Sequence, residues 1–170
     1  IFYIMEKIVL SEQLLFFGNI KMPKGFEINK DELSKNILES KIQNKEFFCK
    51  SFDKLNTYIK EFINLEFDIS IVNKKNWGNA YKPKTLTPPL IEVDPVDLKN
   101  SPDFTMLYGV NVEKCFVKIF YDDNRRKGRS WDIELTNNKF IMFPSTNIYI
   151  ISNEQQDHLN FVQTITYEFN

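Results

Sequence analysis

From residue 104 to residue 169 the chain alternates short apolar runs with turn residues, and this rhythm limits the fold more than any other feature. Apolar runs occupy 104–110, 115–121, 129–135, 140–143, 147–151 and 161–169. Each is too short for a core helix and is rich in Val, Ile, Phe, Tyr and Thr. Strands at such regular spacing, with turn signals between them, close into an antiparallel sandwich or barrel. The last part, NNKFIMFPSTNIYIISNEQQDHLNFVQTITYEFN over 137–170, reads as strand, proline break, strand, polar loop and final strand.

The first half reads differently. Residues 8–17 form a candidate strand, followed by a break at Gly18 and Asn19 and a turn at Pro23 to Gly25. Asn29 or Asp31 can cap a short helix reaching about residue 41, with Leu33, Ile37 and Leu38 apolar. Ser51 is a good N-cap, and Phe52, Leu55, Ile59, Phe62 and Ile63 recur at helical spacing, so a helix is expected over 52–65. Phe67, Ile69 and Ile71 alternate with Asp68 and Ser70, which predicts a half-buried strand. Residues 73–103 then hold Pro83, Pro88, Pro89, Pro95 and Pro102. Proline withholds the ladder donor, so this stretch reads as an extended loop arm around Trp77 and Tyr81. The expected fold is mainly β with flanking helices: a double-stranded β-helix, or jelly roll, with about two α-helices packed outside. One domain over 1–170 is expected, with a flank at 1–72, the proline-rich arm at 73–103 and the jelly-roll core at 104–170.

Composition narrows the function classes. At 170 residues with 42% hydrophobic residues, the chain can bury a real core. A net charge of −1 gives no global pull toward nucleic acid or anionic membrane. No apolar run approaches the ~20 residues that span a bilayer. Glu6, Lys7 and Glu12 interrupt the apolar N-terminus, against a signal peptide, and Met5 is a candidate start. Cys49 and Cys115 share no metal or redox motif and point to a reducing compartment. The abundance of Asn, Ile, Lys and Phe matches an AT-rich genome, so a phage, viral or marine microbial source is expected. Location is then the host cytoplasm or the virion.

Two constellations could carry chemistry on the residues alone. Arg125, Arg126 and Arg129 are the only arginines and cluster at one hairpin tip. Their planar forks suit an anion or a partner subunit, while Asp122 and Asp123 could instead pair with them internally. The adjacent acids nearly cancel the charge, which argues against nucleic acid. His158, the single histidine, sits in a polar loop with no assignable base partner. Ser130 and Ser145 lack a nucleophile elbow, and the five glycines form no phosphate loop.

Over roughly 90–170 the chain resembles the double-stranded β-helix core of the 2-oxoglutarate/Fe(II) oxygenases, of the prolyl-hydroxylase-like type. The most specific point is Ile141-Met142-Phe143-Pro144-Ser145. In that family such a strand precedes, after three residues, a metal-binding His; here the place holds Tyr149. The family's HxD pair lies before a Tyr-Leu-Asn-like strand; here Glu92-Val93-Asp94 precedes the strand carrying Tyr108. The resemblance thus implies Asp94 as the family's aspartate, with Glu92 where the first His belongs. The basic residue that pairs with 2-oxoglutarate falls near Asn160, and the Gly-Gly after the Tyr-Leu-Asn strand is absent. At the positions the resemblance assigns, Glu92, Asp94 and Tyr149 could offer oxygen ligands to Mg²⁺, Mn²⁺ or Ca²⁺, against the plainer reading of two solvated loop carboxylates and an ordinary strand aromatic.

Non-haem iron oxygenation uses two imidazoles and a carboxylate, and this chain has one His. The sequence is therefore read as a degenerate oxygenase fold with no catalytic residues, no metal ligands and no cofactor, acting as a binding or assembly module. A protein partner or self-association through the arginine tip is expected. The alternatives are a 2-oxoglutarate-dependent oxygenase with an atypical metal site, using Fe(II) and 2-oxoglutarate, and a small-ligand or carbohydrate-binding β-sandwich.

Overall fold

The computed structural model describes residues 5–10, 12–25, 28–43, 50–122 and 128–170, the side chains of Lys50 and Ser51 aside. Cys49, Arg125 and Arg126 lie outside the described residues. Among the described residues two α-helices and nine strands follow one another as β1 (Phe16–Asn19), α1 (Lys30–Gln43), α2 (Lys50–Phe67), β2 (Ile71–Tyr81), β3 (Thr85–Leu86), β4 (Phe104–Asn111), β5 (Cys115–Asp122), β6 (Gly128–Leu135), β7 (Lys139–Pro144), β8 (Tyr149–Asn153) and β9 (Asn160–Phe169), with a 3-10 turn at Leu98–Asn100 before β4. The strands form two antiparallel sheets, ordered β1-β7-β4-β9-β2 and β3-β8-β5-β6.

The helices sit where their capping and periodicity put them. Asn29 Oδ1 accepts the N–H groups of Asp31 and Glu32, each at 3.1 Å, and this starts α1. Phe52, Leu55, Ile59 and Ile63 make one stripe of α2, each at most 1% exposed. These side chains, with Leu33 and Ile37 of α1, pack on the outer face of the five-stranded sheet against Met106, Tyr108, Phe140, Ile165 and Tyr167. Burying each large apolar side chain is worth about 1.5–3 kcal/mol, so this layer holds the helices down. The opposite face of the sheet meets the four-stranded sheet through Leu107, Ile141, Phe143 and Val162 against Val117, Ile119, Tyr149 and Ile151. Because β4 and β9 are covered on both faces, nearly every residue in them is buried.

Four sequence expectations change. The strand expected over 8–17 is confined to Phe16–Asn19, and it includes the Gly18-Asn19 pair read as a break. Only these residues reach the edge of β7, with Phe16 opposite Met142 and Asn19 opposite Lys139. Ser51 lies within α2 rather than capping it. The strand expected at 67–71 is instead the end of α2: Asp68 turns the chain in the left-handed region at φ 54°, and β2 begins at Ile71. The arm expected over 73–103 is strand over 73–81 and 85–86, about a third of its length. β2 runs 11 residues along β9, so the two-sheet core starts at Ile71 rather than at residue 104. The prolines begin only at Pro83, and β2 has none. Its alternation is hidden because one face meets helices while the other carries Lys75, Trp77, Asn79 and Tyr81 beside Thr166, Thr164, Val162 and Asn160. Among the described residues no helix is long and apolar enough to cross a membrane.

Candidate functional site

The segment leaving β3 returns to the four-stranded sheet at Leu90. Its N–H and C=O pair with those of Tyr149, both at 2.9 Å. Alternation along an extended chain then places Glu92, two residues on, on the same side as Leu90. Tyr149 opens β8, is 2% exposed, and lies edge-on to Phe143 with ring centres 5.2 Å apart. Its hydroxyl donates to Glu92 Oε1 at 2.5 Å. Two of the residues singled out from the sequence, 57 positions apart, therefore meet.

Burial dominates the electrostatics here. The Tyr149 hydroxyl is held far above the ordinary phenol range, first by burial, then by its bond to Glu92 and the nearby carboxylate charge. Tyr81, at the end of β2, is also raised by burial, with Cys115 and Glu92 adding and a bond from Asn79 opposing. The Cys115 thiol is pushed up to about 12 by burial and by Glu134. It is an inert core thiol rather than a nucleophile.

Asp94, two residues after Glu92 in the chain, faces solvent. Its Oδ1 accepts the N–H of Val96 at 2.9 Å, and its own N–H donates to Ser101 Oγ at 2.8 Å, closing a tight turn. Asn160 is fully buried and goes elsewhere. It accepts the N–H of Glu113 at 2.9 Å, donates to the Glu113 carbonyl at 3.1 Å, and accepts from Gln155 Nε2. Its hydrogen bonds thus tie the β4–β5 turn to the β8–β9 loop, not to Glu92 or Tyr149. His158 is exposed, 3.7 Å from Asp157. Arg129 lies on β6 opposite Tyr121. Among the described residues no three His, Cys, Asp or Glu side chains gather as a metal site.

The sequence reading missed the other polar groups of the interior. Thr105 and Ser145 are bonded at 2.8 Å, and Thr164 and Thr166 are at most 3% exposed. Their register places Thr105, Thr164 and Thr166 on the face that looks toward the second sheet. The period-two T-I-T pattern of β9 was the available signal.

No family model matches the sequence, and no curated protein matches it. Solved structures do. A Pseudomonas putida prolyl-4-hydroxylase superposes with a TM-score of 0.64 at 9% identity, over 92% of this chain and 88% of that one. A Trichoplax adhaerens prolyl hydroxylase, solved with a peptide of the hypoxia-inducible factor oxygen degradation domain, gives 0.60 at 12% identity, over 91% and 83%. The non-heme alpha-ketoglutarate-dependent epimerase SnoN from nogalamycin biosynthesis gives 0.62 at 8% identity, over 91% and 77%. The expectation of no cofactor is corrected by these likenesses, which lead to proteins working with iron and 2-oxoglutarate rather than without a cofactor. They favour the oxygenase alternative over the binding-module reading, and they lend nothing to a phage or viral source. At these identities the likeness is one of fold: a mostly β chain with two helices and antiparallel sheets, of the 2-oxoglutarate oxygenase type.

Proposed function

We propose that the protein is a 2-oxoglutarate-dependent oxygenase with an atypical metal site, built on a double-stranded β-helix. The observation that carries this reading is the meeting of Glu92 and Tyr149 between the segment after β3 and the start of β8. A two-imidazole iron site does not fit the residues present, because the one His lies exposed in the β8–β9 loop. An oxygen-donor set fits better. Among the described residues the hydrogen bonds at Glu92 and Asp94 engage one oxygen of each carboxylate, leaving the second as a candidate ligand.

In this reading Glu92 and Asp94 would hold a divalent cation, with Tyr149 alongside. Fe(II) held there would supply open positions for the 2-oxo acid and the electrons for reaction with dioxygen, which is the oxidant that takes 2-oxoglutarate to succinate and carbon dioxide. The chain's own part is to position. The Tyr149 hydroxyl, kept protonated by burial, fixes the Glu92 rotamer, and the Leu90–Tyr149 bridge fixes the segment that carries it. The test is succinate formation from 2-oxoglutarate by purified protein with added Fe(II). Turnover above the metal-free control, lost on Glu92→Gln, is expected. No succinate with Fe(II) or Mn(II) overturns the reading.

One observation favours a second reading, a partner-binding or self-associating module on the same fold. The Tyr149–Glu92 bond already gives Glu92 a partner within the chain without any cation. The arginines at the β5–β6 tip, Arg125, Arg126 and Arg129, are then the contacts of choice. Sedimentation that is unchanged by Arg125→Ala with Arg126→Ala removes that role.

A further inference from the structure

At the end of the sandwich opposite Glu92 and Tyr149 lies a groove of about 690 Å³. Along β8 the two ends are separated by four residue steps, or about 13 Å at the usual strand rise. Three connections form the groove: the β4–β5 turn, the β6–β7 turn and the β8–β9 loop. Asn111, Glu113, Asn137, Asp157, His158 and Phe161 line it.

The walls are fixed by buried amides. Asn160, fully buried, holds Glu113 by both its N–H and C=O, and also takes the Gln155 amide. Asn153, 1% exposed, donates to the carbonyls of Tyr81 and His158 at 3.0 and 2.9 Å and accepts the N–H of Gln155 at 3.0 Å. Asn137 Oδ1 accepts the N–H of Val112 at 2.7 Å. Joining neighbouring strands needs only short turns. Side-chain amides buried to lock three loops around one concavity are the mark of a preorganised binding surface.

The lining decides the ligand class. Glu113 and Asp157 repel anions, and no Lys or Arg lines the groove to offset them. A phosphate or a 2-oxo acid is therefore a poor occupant. With Asn137 Oδ1 and Gln155 Nε2 held within the chain, the groove offers the Asn111 amide, the carboxylates of Glu113 and Asp157 and the His158 imidazole as donors and acceptors. Phe161, Val112 and Leu159 add an apolar floor. Hydroxyl groups, which both donate and accept, beside C–H faces meet such a lining. The volume is within the range of small-molecule sites.

We propose that this groove is a binding site for a neutral polyhydroxylated ligand, a saccharide of one or two rings, separate from the Glu92–Tyr149 site and independent of the oxygenase reading.

The test is amide NMR of the full chain titrated with glucose, galactose, mannose, N-acetylglucosamine, maltose and cellobiose, with spermidine and inorganic phosphate as contrasting probes. Saturable shifts confined to residues 111–113, 137 and 155–161 are expected with at least one saccharide. Asp157→Ala and Asn111→Ala should each weaken that binding about tenfold or more while the thermal midpoint stays put, since neither side chain is in the core. The proposal is overturned if no saccharide saturates these signals by about 50 mM, or if spermidine or phosphate does so and the saccharides do not.

Discussion

Tyr149 holds the most consequential hydroxyl in the molecule. It is nearly sealed from solvent and spends its proton on Glu92. Removing it leaves a half-buried carboxylate short of a donor. Tyr149→Phe should therefore cost about 1.5–3 kcal/mol in urea unfolding, the range for a hydrogen bond to a charged group. Glu92→Gln keeps an acceptor in place and should cost less. An equal or larger loss for Glu92→Gln would mean that the pair is not joined as described. Both residues were singled out through the resemblance alone, which set Tyr149 three residues past the FPS strand and Glu92 ahead of the strand carrying Tyr108; no local pattern announced their hydrogen bond. Asn160 was legible only as a position. Its partners, Glu113 and Gln155, come to it through loops whose approach no local pattern encodes. The interior threonines went unread for a related reason: polar residues facing a closed interior look like surface residues until the second sheet is known.

At the level of elements, the helices and the later strands follow from capping and periodicity, while β2 does not. Its polar residues and close chain contacts belong to tertiary structure. Gly78 shows this best. It lies opposite Gln163 on β9, and a Cβ there would fall 2.4 Å from Ile37 Cγ1 of α1. The missing side chain is what lets α1 settle on the strand. Gly78→Ala should destabilise by about 1–3 kcal/mol, as overpacking does. Combined with Ile37→Ala, which opens the space, the two losses should sum to clearly more than the measured double-variant loss. Simple additivity would show that α1 does not seat on Gly78. The N-terminal strand was overextended for the converse reason. Residues 8–15 have strand chemistry, but only Phe16–Asn19 lie beside β7.

For the molecule as a whole, two sheets and an outer helical layer bury Tyr81, Tyr108, Tyr149 and Tyr167, and burial raises the ionisation range of each. Cys115 is pushed up to about 12. In the unfolded chain the thiol ionises near pH ~8.5 and the phenols near ~10. Above those values the unfolded state sheds protons that the folded state keeps, so stability is full below about pH 8.5 and falls as pH rises. The urea midpoint should be level from pH 7 to about 8.5 and drop beyond about 9; a rise there contradicts the burial assigned to these groups. The mostly β, antiparallel character and the two helices were legible because strand rhythm and helical period are local; β2 was not. The candidate site was reached only by resemblance, and the chain's own pattern carries no signal for it. The cation site proposed at Glu92 and Asp94 is open to Mn(II) electron paramagnetic resonance of the purified protein at pH 7. The free-ion signal is expected to fall by one equivalent with the natural chain, and that depletion to be lost in Glu92→Gln and in Asp94→Asn. A free-ion signal that stays undiminished with the natural chain, or depletion that survives both substitutions, contradicts that site.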